Sequence, residues 1–144
     1  MKNLKRIKGD ASFRKFFRKK NKLKNSVIVY AKKEKLKNLL IYDAINKILI
    51  KNKILAPNLL SENYINNYIE INDFGDQTLF QILKNKKNNK YVIFKKIIKI
   101  LNKIQLIKDK KVKNFKNKFY IIQEYKNKIL FDETKLFCDW YAPK

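Results

Sequence analysis

The chain has 144 residues, of which 45% are apolar, and its 36 basic and 12 acidic residues give it a formal charge of +24. This length suffices for one folded domain with a modest core but not for two large lobes. Cys138 is the single cysteine and histidine is absent. A disulfide framework, a Cys/His zinc site and a Ser/His or Cys/His nucleophile pair are therefore excluded.

The first half of the chain predicts a small antiparallel sheet and one helix. Residues 12–20 and the β-branched run 26–31 are typical of a β-hairpin around a polar turn at residues 21–25. A helix is predicted from Glu34 to Asn52 because apolar residues recur at helical spacing. Two further strands, 58–64 and 68–73, are predicted to pair around the turn Asn66-Asn67.

The second half predicts helices and polar connections. A short helical stretch follows Gly75, residues 84–90 contain no apolar side chain, and a long amphipathic helix spans residues 91–107. Burial of the apolar stripe on that long helix is expected to contribute about 10 kcal/mol before opposing terms. Residues 109–118 are predicted to form a basic loop, and residues 132–141 a last helix.

These elements predict an α+β fold in three parts. Residues 1–83 form an amino-terminal lobe, residues 84–90 a polar linker, and residues 91–144 the first helices of an incomplete carboxy-terminal lobe. No run approaches the roughly 18 apolar residues of a membrane span, and no apolar segment follows the basic amino terminus. The sequence therefore predicts a cytoplasmic protein without a membrane partner.

The segment GDASFRKFFR, residues 9–18, resembles the nucleotide loop of the aminoglycoside phosphotransferase family. The similarity is to its kinases for N-acetylmuramate and N-acetylglucosamine, in which a GDAS-F-R-x-[FY]-x-R pattern opens the protein. Further similar segments follow in the same order along the chain: Leu55-Ala56-Pro57 after the first helix, INDFGDQTL at 71–79, residues 101–105, and LFCDWY at 136–141. The resemblance implies a protein-kinase-like amino-terminal lobe followed by the beginning of a carboxy-terminal lobe.

The resemblance also implies an ATP site with Mg²⁺ as its metal. Small residues in a hairpin turn let backbone N–H groups approach phosphate oxygens closely. The implied phosphate contacts are Gly9, Asp10, Ala11 and Ser12, and the implied adenine contacts are the backbones of Ile71, Asn72, Asp73 and Phe74. Asp73-Phe74-Gly75 spells the magnesium-binding triplet of protein kinases, but it precedes the interlobe helices, so we interpret it as a hinge.

The lysine that contacts the phosphates is expected near the end of the strand 26–31. A protein-kinase-like register would place Tyr30 at that position, whereas Lys32 and Lys33 lie just beyond it. We assign Lys32 as the candidate, with a solvated surface lysine as the alternative. Its carboxylate partner is expected to be Glu34 or Asp43, although Asp43 could equally form a surface pair with Lys47.

The implied activity is transfer of the ATP γ-phosphoryl group to a hydroxyl of a small sugar, either a cell-wall amino sugar or an aminoglycoside-like compound. The catalytic loop H-x-D-x-x-x-x-N requires a histidine, and the chain has none. Asp109 and Asn114 have the spacing of the aspartate and asparagine, but Ile107 stands at the histidine position, so we interpret the spacing as chance. No catalytic or metal-binding residue is assigned, and the ligands of Mg²⁺ are expected in a carboxy-terminal part that follows.

The chain alone is therefore expected to be inactive, either as a truncated piece or as a degenerate relative. The apolar stripe of the last helix favours truncation, because an uncovered apolar face is a liability.

The alternative function is a small basic nucleic-acid-binding or scaffold protein. Phe13, Phe16 and Phe17 alternate with basic residues and could stack on bases. This alternative is less favoured, because only three of the 36 basic residues are arginines and the lysines are spread along the whole chain. The oligomeric state is left open.

Overall fold

Five antiparallel strands and one helix form the main layers of the computed structural model, which describes residues 4–8, 13–32, 36–85, 87–122, 124 and 127–141. The strands are β1 (Leu4–Ile7), β2 (Arg14–Lys19), β3 (Ser26–Ala31), β4 (Leu59–Asn63) and β5 (Tyr68–Asn72). Their order in the sheet is β1-β2-β3-β5-β4, and the helix, α1, spans Leu36–Lys51, between β3 and β4 in the chain. The predicted α+β class is confirmed.

The core lies between α1 and one face of the sheet. Alternate residues of β3 point to the same face, so Val27, Val29 and Ala31 are all buried there. On the neighbouring strand, Ile69 lies opposite Val29, and Leu39 of α1 is fully buried in the same cluster. Packing of α1 against the two central strands therefore fixes the position of the sheet.

The predicted strands and turns of the first half are largely confirmed. β2 and β3 form the expected antiparallel pair, and β3 has the predicted bounds. Asn67 adopts a left-handed conformation (φ 62°) in the β4–β5 turn, which asparagine tolerates better than most residues. β1 was not predicted. Its sequence, LKRI, is half basic and three of its four residues are exposed, as is common for an edge strand.

The prediction of a loop at residues 109–118 is wrong in part. β6 (Lys111–Lys113) and β7 (Phe119–Ile121) pair as a short antiparallel hairpin. Asn114 closes its turn, because the side-chain oxygen accepts hydrogen bonds from the main-chain N–H groups of Lys116 and Lys118 at 2.9 and 3.2 Å. The short strands have no apolar alternation that would have revealed them.

The hairpin packs against the first half of the chain. The Phe115 ring meets Tyr64 edge-on, with ring centroids 5.6 Å apart, and it lies against the core cluster. The Lys116 ammonium lies 2.8 Å from a carboxylate oxygen of Glu62. The residues that follow the long helix are thus anchored to the sheet.

Three further helices are α2 (Leu79–Lys84), α3 (Lys90–Gln105) and α4 (Asn127–Tyr141). α2 begins with a capping box between Thr78 and Gln81, and Asn89 caps α3. The predicted linker, residues 84–90, joins these two helices. α4 begins five residues before the predicted Asp132. The predicted burial of the α3 stripe is wrong, because no residue of α3 is buried.

Candidate functional site

The strand ends that flank the implied phosphate contacts and the segment implied to contact the base lie at opposite ends of the sheet. β1 and β2 are antiparallel, with Ile7 opposite Phe16, so β1 ends and β2 begins at the end of the sheet where β3 finishes. Ser26 lies opposite Asn72, so the segment after β5 leaves from the other end. The implied phosphate contacts Gly9, Asp10, Ala11 and Ser12 lie outside the described residues.

The spacing R-x-F-x-R in β2 places three side chains on one face. Arg14, Phe16 and Arg18 lie opposite Ala31, Val29 and Val27, the three residues of β3 that face α1. The Arg14 guanidinium lies over the ring of Tyr42 in α1, 5.1 Å from its centroid, and Phe16 packs against the core cluster. Each of the three side chains therefore joins β2 to another element.

Arg18 reaches the segment that follows β5 and forms a charge cluster with two aspartates. Its Nε and Nη2 donate to the two carboxylate oxygens of Asp73 at 2.5 and 3.0 Å. Its Nη1 donates to both oxygens of Asp76 at 2.7 Å. Asp73 also accepts a hydrogen bond at 2.8 Å from the main-chain N–H of Gly75, which has a positive φ of 84°. We call this arrangement the Arg18 clamp.

The clamp is buried at one end and exposed at the other. The side chains of Arg18 and Asp73 are 13% and 7% exposed, whereas that of Asp76 is 78% exposed. Hydrogen bonds from Arg18 lower the pKa of Asp73 below its ordinary value, although burial acts in the opposite direction. The same two carboxylates raise the pKa of Arg18. The buried pair with Asp73 is thus the structural part of the clamp, and Asp76 lies at its rim.

The implied adenine contacts are not equivalent. Ile71 and Asn72 belong to β5, and each pairs with a residue of β3. The N–H of Asn72 donates to the carbonyl of Asn58, whose own N–H donates to the Asn72 side chain. Phe74 is exposed, and within the described ranges its main chain makes no hydrogen bond. Hydrogen bonds within the sheet and the clamp already engage the other residues of this segment, so the main chain around Phe74 is the part that can receive a ligand.

Lys32 does not pair with Asp43, which is the one of its two expected carboxylate partners that lies within the described residues. Lys32 follows the end of β3 and is exposed. Asp43 lies buried on α1, and the ammonium of Lys47 approaches its Oδ2 to 2.9 Å, an ionic contact without good hydrogen-bond geometry. The predicted pair between Asp43 and Lys47 is therefore present, but its carboxylate is buried and not on the surface. Lys33 and Glu34 lie outside the described residues.

A second polar cluster lies on the opposite face of the sheet and was not found from the sequence. Glu70 accepts a 2.5 Å hydrogen bond from the Ser26 hydroxyl, and the Lys19 ammonium lies 3.1 Å from its carboxylate. Burial raises the pKa of Glu70, but the hydrogen bonds from Ser26, Lys19 and Ser61 outweigh it, so that the net pKa is lowered. This cluster ties β2, β3 and β5 together.

Asp109 and Asn114, which share the spacing of a catalytic loop, have separate structural roles. Asp109 accepts a hydrogen bond from Asn52 at 2.9 Å and is paired with Lys51, both at the end of α1. These contacts lower the pKa of Asp109, with Lys51 as the main cause. Asn114 closes the β6–β7 turn. Both side chains are thus engaged in the fold, in keeping with the interpretation of their spacing as chance.

In the described part of the chain, no three acidic or cysteine side chains gather where they could hold a metal ion, and no helix there has the length and apolar character needed to cross a bilayer. Comparison of the chain with models of known protein families and with curated proteins finds no match.

Proposed function

We propose that this chain is the nucleotide-binding part of an ATP-dependent phosphotransferase that acts on a sugar hydroxyl, as its resemblance to the aminoglycoside phosphotransferase family implies. The sugar is a cell-wall amino sugar or an aminoglycoside-like compound. The observation that carries this proposal is the Arg18 clamp. It joins the two segments on which the resemblance mainly rests.

The two segments are far apart in sequence and adjacent in space. Arg18 is the last residue of GDASFRKFFR, and Asp73 and Asp76 both belong to INDFGD. If the two pattern matches were coincidental, their residues would have no reason to be in contact in the folded chain. Here the final arginine of one pattern binds both aspartates of the other. A shared structural role for these residues supports their belonging to one motif.

The order of elements also supports the proposal. A kinase amino-terminal lobe covers the phosphates with a loop between strands, carries a lysine on its third strand, and follows this strand with a helix. The chain has the loop residues between β1 and β2, Lys32 just after β3, and α1 next in order. β4, β5 and the segment held by the clamp then follow.

The dimensions fit a nucleotide that lies along the sheet. From Arg14 to Arg18, β2 rises by about 13 Å at ~3.3 Å per residue. An extended nucleoside triphosphate spans a similar distance from base to γ-phosphate. In this proposal the base lies against the main chain at Phe74, and the phosphates lie near Gly9, Ser12 and Lys32.

The role of these residues is to bind and orient ATP. Phosphoryl transfer depends mainly on positioning and on stabilisation of charge. In this proposal the Mg²⁺ ligands and the aspartate that positions the acceptor hydroxyl come from a further part of the protein. The chain contributes the base site, the phosphate loop and the clamp that fixes their separation.

Nucleotide binding can be tested by titrating ¹⁵N-labelled protein with ATP up to millimolar concentration and following amide chemical shifts. We expect saturable shifts at Phe74 and Lys32 and at the loop between β1 and β2. Gly9→Val should weaken binding at least tenfold, because its side chain would occupy the approach to the phosphates. Ser61→Ala, on the far side of the sheet, is the matched control. Absence of saturable shifts, or equal binding by Gly9→Val, would contradict the proposal.

The alternative, a nucleic-acid-binding protein, has less support. It requires exposed aromatic rings, but only Phe13 of the three candidate phenylalanines is exposed, while Phe16 and Phe17 are half-buried. The same titration with single-stranded oligonucleotide distinguishes the two functions. Binding that falls steeply with salt and does not respond to ATP would favour the alternative.

A further inference from the structure

Two arginines of β2, Arg14 and Arg18, share the face of the sheet that packs against α1. Arg18 binds the two aspartates of the clamp, at the end of the sheet where β5 finishes. Arg14 is the first residue of β2, so it lies at the opposite end, two residues after Ser12 of the implied phosphate loop. The chain has only three arginines among its 36 basic residues, and two of the three lie on this face.

The residue of β3 that faces Arg14 is an alanine and not a lysine. Arg14 lies directly opposite Ala31, the last residue of β3, which is fully buried on the α1 side of the sheet. Side chains alternate between the two faces of a strand, so the next residue, Lys32, starts on the other face, and it is exposed. On the α1 side, the positive charge next to the end of β3 in the sheet register is therefore that of Arg14.

Contacts with α1 hold the guanidinium of Arg14 in place. It lies over the ring of Tyr42, 5.1 Å from the ring centroid. The buried side chain of Asn46 forms a hydrogen bond with the Tyr42 hydroxyl. Burial raises the pKa of Tyr42, so its ring is neutral at pH 7. The planar fork of a guanidinium suits phosphate oxygens, and contact with a ring face does not use its N–H donors.

We propose that Arg14 binds the terminal phosphates of ATP, in place of the lysine that a kinase-like lobe carries on its third strand. This inference rests on the proposed function, because it names the cation of that same site. With the base at Phe74, beside the clamp, the length of β2 from Arg18 to Arg14 places the far end of an extended triphosphate at Arg14. Tyr42 orients the guanidinium toward the phosphates.

Titration of ¹⁵N-labelled protein with ATP at about 0.15 M salt tests the assignment. Arg14→Gln should raise the Kd for ATP about tenfold, because charge-assisted hydrogen bonds to phosphate are lost. Arg14→Lys keeps the charge without the planar fork and should raise the Kd about threefold. Far-UV circular dichroism verifies that each variant stays folded.

Arg6→Gln is the matched control, since it makes the same replacement and the same change of net charge. Arg6 is exposed and lies opposite Phe17, on the face of the sheet away from α1. This variant should keep the Kd for ATP within about twofold of the wild-type value.

A measurement on the wild-type chain does not depend on the folding of any variant with glutamine. The side-chain Nε–Hε signal of Arg14, identified by its absence from the spectrum of Arg14→Lys, should shift on saturation with ATP together with the amide of Phe74. The corresponding signal of Arg6 should not shift. An arginine that serves only the fold would not respond to ATP in this way.

The outcomes separate this inference from the proposed function. If ATP causes saturable shifts at Phe74 but the Arg14 Nε–Hε signal does not move, or Arg14→Gln binds ATP as tightly as wild type, the inference is wrong and the proposed function stands. If Arg6→Gln weakens ATP binding as much as Arg14→Gln, the effect is one of net charge and the inference is also wrong. If the wild-type chain shows no saturable shift with ATP, the proposed function fails and this inference fails with it.

Discussion

Replacing Asp73 with asparagine tests whether the Arg18 clamp holds the segment after β5 in place. The change keeps the size of the side chain but removes its charge. It also places an amide N–H₂ group, itself a donor, next to the N–H donors of the clamp. Hydrogen bonds to charged groups contribute about 1.5–3 kcal/mol each, and solvent at the rim of the cluster screens part of this. We therefore expect Asp73→Asn to lower the free energy of unfolding by about 2 kcal/mol.

Urea unfolding at neutral pH measures this loss directly, and thermal unfolding should show a melting temperature lower by about 6 °C. Asp76→Asn is the matched control. It removes the same charge from the same guanidinium, but the Asp76 side chain is 78% exposed. Its effect should stay within about 0.5 kcal/mol.

The pH dependence gives a second measurement. Because the folded-state pKa of Asp73 lies below its unfolded value, the carboxylate stabilises the fold fully at pH values above about 4. That stabilisation is lost as the pH falls through the folded-state pKa. The difference between wild type and Asp73→Asn should therefore shrink below about pH 4. If Asp73→Asn lowers the free energy of unfolding no more than Asp76→Asn does, the clamp does not hold this segment. The same conclusion follows if the stability difference between wild type and Asp73→Asn is independent of pH.

Two other contacts give further predictions. Phe115→Ala removes the contact with Tyr64 and should destabilise the protein by about 2 kcal/mol, roughly half the cost of emptying a fully buried phenylalanine site. Hydrogen exchange should then show that amides of the β6–β7 hairpin lose protection while those of the five-stranded sheet keep it. Equal protection of the hairpin amides in wild type and variant would contradict this prediction. Glu70→Gln should lower the free energy of unfolding by about 1 kcal/mol at pH 7, because Ser26 and Lys19 interact more weakly with a neutral amide than with a carboxylate. Because the folded-state pKa of Glu70 is lowered, this difference should vanish as the pH falls below about 4, and a constant difference in a urea titration series would refute the reasoning.

The elements that the sequence predicts best are those whose periodicity records burial. β3 and β5 largely alternate buried and half-buried residues, and α1 buries Ala44 and Ile48, which are four residues apart. The asparagine-rich turn between β4 and β5 was recognised because asparagine tolerates a positive φ. In these places the local pattern and the tertiary structure agree, so local reasoning is sufficient.

The features that the sequence did not predict depend on partners far along the chain. β1, β6 and β7 are mostly exposed, and β1 and β6 are also basic, so pairing and not burial defines these strands. The partner of Arg18 is 55 residues away, and no local pattern encodes that contact. For α3 the local pattern is clear, but its partner is not encoded in it. A periodic apolar face predicts that another surface covers it, but it does not identify that surface.

The strand order has a consequence for how the protein folds. β1, β2 and β3 form a meander from neighbouring stretches of chain, and β4 and β5 form a hairpin, so both can assemble locally. The central β3–β5 pairing joins the meander to the hairpin across an interval that contains α1. Closing this loop costs conformational entropy, which is compensated only when the core residues of the two parts come into contact. We therefore expect docking of the hairpin onto the meander to limit the folding rate. During synthesis, the first three strands must then wait with β3 unpaired on one side until residue 72 has left the ribosome.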